Sequence, residues 1–478
     1  MINQINNEYL LLFSSLLNKN NKKLSYEILI ILLNISYLDK GELLFGSEEK
    51  VISNIASFMG NNRTDKILLN LGILLIKNIT HKNSLVRQIF QNYHILQFFN
   101  EIYENFIFEN NFMKNLIFCI GNFINSRFGD DNSLASIKII KTQLNLNTPL
   151  EILVRYVYIL FNLSYYNDPK VYNEMIKYNI PSVLMNIYPF KKEKWKLGQN
   201  CDDKKEDDTN EISIKEKEKN ERDLSLLILK ILGKMLYSEN KTISDNLLNN
   251  GIGKFLNKVF QSNDIKIIKN SFFCLSNLCV GFFGQISYLY NNDTIFEAFK
   301  VAQYVYDTLD SNNKFINSFI NNDFIEAFKE INFAISLIII NSLYERLIPF
   351  ARNHNYAIVK ILLKGLRIFP ECKYKNNKRL ILYILNAISK LNEYEKNNDE
   401  EELLKNNISK YSEFLEKNGF KEILEKLMVN PDGEVADAAE KLYDILYLDK
   451  NNSDDNINID DIIKDYKEED DVEDEDNL

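Results

Sequence analysis

The stretch Ser271-Phe-Phe-Cys-Leu-Ser-Asn-Leu-Cys279 decides the fold. It is strongly apolar, and within it Phe273 and Asn277 stand four residues apart. Four residues make about one helical turn, so both side chains leave the same face of a helix. Weaker copies recur along the chain: an apolar or aromatic residue, three more residues, then Asn. Upstream copies end at Asn34, Asn78, Asn122 and Asn162, spaced by 44, 44 and 40 residues. Stacked helical repeats have a period of about 40–47 residues, with two or three helices in each unit. A repeated helix presenting the same two side chains describes a binding surface better than an active site.

Composition agrees. A chain of 478 residues exceeds one ordinary compact core, and Gly (15) and Pro (7) are scarce. Sandwiches and doubly wound folds need Gly- and Pro-rich turns or Gly-rich phosphate loops, so long helices with short polar links fit better. The expected helices are Glu8–Leu17, Leu24–Ser36, Lys50–Phe58, Lys66–Ile79, His94–Phe108, Asn111–Asn125 and Leu150–Ser164, with the next repeat opening at Val171–Met175 and Ser182–Tyr188. Apolar residues run almost all round several of them, which predicts burial between neighbouring helices. Lys191–Arg222 is rich in Lys, Glu and Asp and reads as a disordered insertion before a helix at Asp223–Tyr237. An irregular stretch at about 310–323 precedes a helix at Ile325–Ile340, where Phe333 matches Phe273 and Leu337 replaces the Asn.

The formal charge of −10 is uneven. Ser453–Leu478 carries thirteen Asp/Glu against two Lys, so the rest of the chain is close to neutral. The body therefore offers no net basic field for nucleic acid, and residues 451–478 read as a disordered acidic tail. The five cysteines form no CxxC pair and only three His occur, so neither a metal cluster nor a cofactor is expected. Buried thiols at Cys119, Cys274 and Cys279 and a reducing compartment follow. The chain shows no signal pattern at Met1, and its apolar runs fall short of a membrane span, so a soluble protein of cytoplasm or nucleus is expected. No phosphate loop, GxSxG or HExxH pattern points to an enzyme, and Gly251-Ile-Gly-Lys254 is too short to count as one.

Phe118-Cys-Ile-Gly-Asn122, Tyr158-Ile-Leu-Phe-Asn162 and Phe273-Cys-Leu-Ser-Asn277 resemble the third helices of importin-α, the armadillo-repeat adaptor of nuclear import, where Trp-x-x-x-Asn recurs. Tyr383–Leu391 and Tyr411–Leu446 are similar to late repeats of that family, and the resemblance runs in register over about residues 24–446. It implies an all-α, right-handed superhelical solenoid of about nine armadillo repeats over residues 1–450. It implies a receptor for basic nuclear localisation signals, bound along a concave groove by Asn34, Asn78, Asn122, Asn162 and Asn277 with Phe118, Tyr158, Phe273 and Phe333. The acidic tail would contact an export receptor. Met1–Lys23 holds only Lys19, Lys22 and Lys23 as basic residues, so an arm for importin-β is not expected.

The chemistry of such a groove is general. An Asn carboxamide has a donor and an acceptor, so it can bond one N–H and one C=O of an extended peptide. Aromatic faces one turn earlier can hold Lys or Arg stems, each with a cation–π gain of about 0.5–2 kcal/mol. This sequence departs from the family in its aromatics. Its single Trp, Trp195, lies in the charged insertion, and the family's Trp positions hold Ile30, Leu74, Phe118, Tyr158, Lys230, Phe273 and Phe333. Lys234 and Lys390 stand where Asn is expected. The alternative is an armadillo-type interaction scaffold without an import role.

Overall fold

Several helices begin where the chain supplies a capping side chain. Asp65 Oδ1 accepts from the backbone N–H groups of Ile67 and Leu68, both at 3.2 Å, and so opens the helix Lys66–Thr80. Asn21, Asn83, Asp168, Asn240, Asp264 and Asp432 cap other first turns in the same way. Each such side chain satisfies a donor the helix leaves orphaned and is worth about 1 kcal/mol.

The structure, a computed structural model, describes residues 7–17, 21–38, 41–105, 110–124, 131–165, 168–190, 208–238, 240–280, 283–311, 322–343, 345–347, 351, 356–371, 377–396 and 411–448. Contacts divide the chain into two units, one of residues 1–189 and 199–250 and one of residues 190–198 and 251–478. The first contains α1 (Asn7–Leu16), α2 (Lys22–Ser36), α3 (Gly41–Gly46), α4 (Glu49–Asn61), α5 (Lys66–Thr80), α6 (Ser84–Asn92), α7 (Ile95–Asn105), α8 (Asn110–Ile124), α9 (Asp131–Gln143), α10 (Leu150–Ser164), α11 (Pro169–Lys177), α12 (Ile180–Ile187), α13 (Asp208–Tyr237) and α14 (Lys241–Asn249). The second contains α15 (Ile252–Val259), α16 (Ile265–Cys279), α17 (Phe283–Asn291), α18 (Thr294–Ser311), α19 (Asn322–Asn341), α20 (Ala357–Ile368), α21 (Asn377–Lys396), α22 (Tyr411–Lys417), α23 (Phe420–Leu427) and α24 (Gly433–Tyr443). No strand occurs among the described residues.

Within each unit a row of long third helices forms the spine. In the first, α2, α5, α8, α10 and α13 pack each against the next; in the second, α16, α19, α21 and α24 do the same. A helix with neighbours on both sides must be apolar on both. On α5, Leu68, Leu69, Ile73, Leu75, Ile76 and Ile79 are all buried, and on α16 so are Ile268, Phe272, Cys274, Leu275, Leu278 and Cys279. Each fully buried Leu or Ile contributes about 1.5–3 kcal/mol. Burial also pushes the Cys119, Cys274 and Cys279 thiols well up, so these groups serve as small apolar side chains.

One backbone device recurs that periodicity does not reveal. His94, Asn179, Gly251, Asp293, Tyr356 and Gly419 all have left-handed φ, between 50° and 86°. Each immediately precedes a middle helix: α7, α12, α15, α18, α20 and α23 respectively. A left-handed residue turns the chain sharply from the first helix of a repeat into the second. Gly251 thus has its explanation in this turn.

Two boundaries differ from expectation. The helix expected at Asp223 begins at Asp208, so Lys191–Arg222 is not disordered throughout: Asp208–Arg222 is helical. Composition suggested disorder, but Lys and Glu are good helix formers, and extending a helix from a buried segment avoids the cost of nucleation. The third helix expected at Ile325–Ile340 runs over Asn322–Asn341. Residues 191–207, 312–321, 397–410 and 449–478, and with them Trp195 and the acidic tail, lie outside the described residues, as do Cys201 and Cys372.

A Cβ at Gly251 would meet nothing within 4 Å, so Gly251→Ala isolates the backbone cost. It is expected to lower stability by about 1–2 kcal/mol. Gly284, inside α17 with equally open space, should gain slightly as Ala. Paired denaturant melts check both, and equal effects of the two substitutions would contradict the left-handed turn.

Candidate functional site

The rows of third helices leave one stripe of each helix accessible. Asn70, Leu74 and Asn78 form it on α5, Lys114, Phe118 and Asn122 on α8, Tyr158 and Asn162 on α10, and Lys230 and Lys234 on α13. All are partly or fully exposed, and most of the residues flanking them are buried. Tyr158 is the most open of the expected aromatics, at 41%. Asn34, on α2 at the start of the row, is exposed. The first unit therefore brings Asn34, Asn78, Asn122, Asn162, Phe118 and Tyr158 onto successive helices of one row.

The Asn residues have an internal duty. Asn78 Nδ2 donates to Ser36 Oγ at 3.2 Å. Asn122 Nδ2 donates to the Lys77 carbonyl at 2.9 Å and to Thr80 Oγ1 at 3.0 Å. Each carboxamide thus ties its helix to the last turn of the preceding third helix, where carbonyls lack intrahelical partners. A carboxamide nitrogen has two hydrogens, and Asn122 uses both in this tie. The two-sided clamp expected of each Asn is one-sided at Asn122, which can offer a peptide only the acceptor Oδ1.

The second unit repeats the tie and corrects one register. Phe273 and Asn277 are half-buried on α16. On α19 the bond to the preceding helix is made by Asn341, whose Nδ2 donates to the Cys279 carbonyl at 2.9 Å. Leu337, expected in the place of the Asn, is buried at 2% exposure. Phe333 therefore stands two turns before the tying Asn and packs on Tyr383 at 5.0 Å, with the Arg379 guanidinium 5.7 Å from both rings. Counting from Phe333 missed this because α19 continues to Asn341. Lys390 donates to the Ile340 carbonyl, so a Lys ammonium takes over the carboxamide's tie on α21.

The aromatic faces carry cations of the chain itself. The Arg155 guanidinium lies 5.2 Å and the Lys114 ammonium 6.0 Å from the Phe118 ring centre. Lys230 and Lys234 lie 5.5 and 5.4 Å from Phe161, and Lys234 lies 4.2 Å from Tyr165. Lys77 Nζ donates to Asn115 Oδ1 at 3.1 Å. Burial, with Lys114 and Arg155 nearby, holds its ammonium below the usual lysine range. Lys77, Lys114 and Arg155 make no ion pair among the described residues, and Glu151 is a carboxylate on the same side of α10 one turn from Arg155. Phe118 is accordingly not an empty slot for an incoming Lys or Arg. Sequence reasoning passed over Lys77, Lys114 and Arg155, although Lys114 precedes Phe118 by one turn and Arg155 precedes Tyr158 by three residues.

In the second unit the corresponding cations are paired across helices. Lys266 meets Asp323 at 3.6 Å and Lys269 meets Glu326 at 2.5 Å. Burial drives the Glu330 carboxyl up to about 7 against the opposing pull of Lys269 and Lys329, with Glu326 adding to the rise. Among the described residues no group of three or more His, Cys, Asp or Glu could hold a metal ion. No described helix is long and apolar enough to cross a membrane.

Neither a scan against protein-family models nor a search of curated proteins finds a match. Solved structures do match. One is an engineered protein, 14% identical, with 92% of this chain and 99% of that chain covered and a TM-score of 0.59. Another comes from work on a phosphorylation switch controlling the interaction between cadherin and β-catenin, 11% identical over 92% of this chain and 78% of that chain, TM-score 0.65. A designed armadillo repeat protein is 16% identical over 65% of this chain and 99% of its own length, at a TM-score of 0.41 too loose to add weight. At such identities the likeness concerns the fold alone, which is an all-α armadillo-type solenoid.

Two outcomes follow from the geometry. Asn122→Ala removes both donations to the preceding helix and is expected to cost about 1–2 kcal/mol in a denaturant melt, whether or not a ligand is present. Glu330 takes up its proton more readily folded than unfolded, so its contribution to stability is lost as pH rises from about 4.5 to about 7. Glu330→Gln should therefore melt higher than the parent at pH 8, by about 1–3 kcal/mol, with the advantage gone near pH 4. Equal melting of parent and variant at every pH would refute the assignment.

Proposed function

We propose that this chain is a protein-interaction scaffold that binds an extended segment of a partner along the accessible stripes of α5, α8, α10 and α13. The observation that carries this reading is the row itself: Leu74 and Asn78, Phe118 and Asn122, Tyr158 and Asn162 stand at one spacing on three helices that pack each against the next. Neighbouring helix axes lie about 8–10 Å apart, so the four helices span about 30 Å. An extended strand rises about 3.3 Å per residue, and about ten residues would cross them. Oδ1 of Asn78 and Asn122 supplies acceptors for main-chain N–H groups, while Tyr158 and Leu74 supply apolar contact. The neighbour connected with cadherin and β-catenin supports a binding role for the fold.

A narrower second reading is an importin-α-like receptor for basic localisation signals, passing between cytoplasm and nucleus. The ordered succession of Phe118/Asn122, Tyr158/Asn162 and Phe273/Asn277 favours it. In that reading the acidic tail would meet an export receptor. Arg155 and Lys114 on the Phe118 ring weigh against it, because an incoming ammonium would meet like charge there.

A peptide-display selection against the full chain, counter-selected on a Tyr158→Ala/Asn162→Ala variant, tests the scaffold reading. Selected peptides are expected to bind at micromolar concentration or tighter and to lose roughly tenfold on the variant. Peptides that bind parent and variant equally would place binding elsewhere. A Lys/Arg-rich selected set would favour the import reading.

A further inference from the structure

We infer that the segment taken by α5, α8, α10 and α13 is acidic: a stretch of a partner protein whose Asp and Glu side chains meet Lys77, Lys114, Arg155, Lys230 and Lys234. The inference rests on the peptide-binding reading above and names its ligand class. Five cations stand on one row of four helices, although the body of the chain is close to neutral overall. The local excess is thus an arrangement rather than a consequence of composition.

Three features make this row fit carboxylates. First, the Phe118 face, which would attract a foreign cation, is covered, and other cations of the row lie against rings of the neighbouring helix. Phe118 lies beside Arg155 and Lys114, Phe161 beside Lys230 and Lys234, and Tyr165 beside Lys234. A guanidinium or ammonium held against a ring by cation–π attraction is fixed in place, and its N–H groups can still point toward a carboxylate. Second, Lys114 and Arg155 share the Phe118 ring and stand close enough to Lys77 to add to the depression that burial imposes on its ammonium, and none of the three has an ion-pair partner among the described residues. Clustered like charges raise the free energy of the empty row, and a ligand carboxylate relieves it. Third, the corresponding cations of α16, Lys266 and Lys269, are already matched by Asp323 and Glu326 on α19. Within this fold, then, facing cations are matched by carboxylates of a neighbouring helix where the chain supplies them. On α5 and α8 it supplies none. On α10 the carboxylate nearest to Arg155 in sequence is Glu151, one turn away.

The acceptors on Asn78 and Asn122 complement this pattern. With its nitrogen committed to Lys77 and Thr80, Asn122 can accept a peptide N–H but cannot donate to a peptide carbonyl. The donors to the ligand on this row are therefore chiefly the cationic side chains, and their preferred acceptors are carboxylates.

The test titrates the full chain with three fluorescent peptides of about ten residues, matched in length and aromatic content: one rich in Asp and Glu, one rich in Lys, one of Ser and Asn. Ionic strength is set at about 0.05 and 0.15 M. The acidic peptide should bind at least roughly tenfold tighter than the neutral one, tighten at low salt, and lose roughly tenfold or more with Lys114→Glu/Arg155→Glu. The exposed Lys426→Glu, on α23, should leave its affinity unchanged. Unchanged far-ultraviolet circular dichroism shows that the double variant folds, and Lys114→Gln/Arg155→Gln gives a milder second variant. Binding of the neutral or Lys-rich peptide in preference to the acidic one would overturn the inference and leave the scaffold reading standing. Binding of none of the three would sink both. Acidic binding indifferent to both double variants would overturn the assigned site, and tighter binding of heparin or RNA with the same loss would make the row a general polyanion surface instead.

Discussion

Everything in this structure depends on burying each third helix between two others. A helix packed on both sides must be apolar over most of its circumference, and α5, α8, α10 and α16 are. The remainder is a narrow stripe where the longer polar side chains stand, while small hydroxyls such as those of Thr80, Ser164, Ser271 and Ser276 are buried. The same constraint that builds the core thus decides which residues can meet a partner: positions four apart, on every third helix, in one row. Asn34, Asn78, Asn122, Asn162, Phe118 and Tyr158 fall on that row because the packing leaves them nowhere else to go.

The stripe serves the fold before it serves a ligand. The carboxamides of Asn78, Asn122 and Asn341 reach the last turn of the preceding third helix, where backbone carbonyls or a hydroxyl accept them. Such a tie satisfies polar groups that stacking partly removes from water. Recurrence of Asn at this spacing therefore has a structural cause, and it needs no peptide to explain it. Lys390 makes the same tie with an ammonium, which shows that the position requires a donor more than it requires Asn. What remains for recognition is the Oδ1 acceptor and whatever surrounds it.

Those surroundings are electrostatic. Net charge near zero over the body says little about a row one side chain wide, because sums hide arrangement. On α8, α10 and α13 cations lie against Phe118, Phe161 and Tyr165, and on α16 and α19 they lie against carboxylates. An aromatic ring in a groove can welcome a cation from outside only when none is already present. This is why the same Phe-x-x-x-Asn string can belong to chemically different grooves.

The sequence by itself determined the all-helical class, the repeat spacing, most helix boundaries to within a few residues and the row on which Asn78, Asn122 and Asn162 stand, because burial between neighbours imposes a periodicity that is written in apolar residues. Tertiary structure decided the rest. The left-handed turns at His94, Asn179, Asp293 and Tyr356 carry no Gly to announce them, and Asp208–Arg222 is helical because it continues a buried helix. Asn341 in place of position 337, Arg155 over Phe118, Lys230 over Phe161, and the commitment of Asn122 to Lys77 and Thr80 all arise between residues of different helices, far apart in the sequence. Spacing along one helix fixes which way a side chain points; only the packing of the next helix fixes what it meets there.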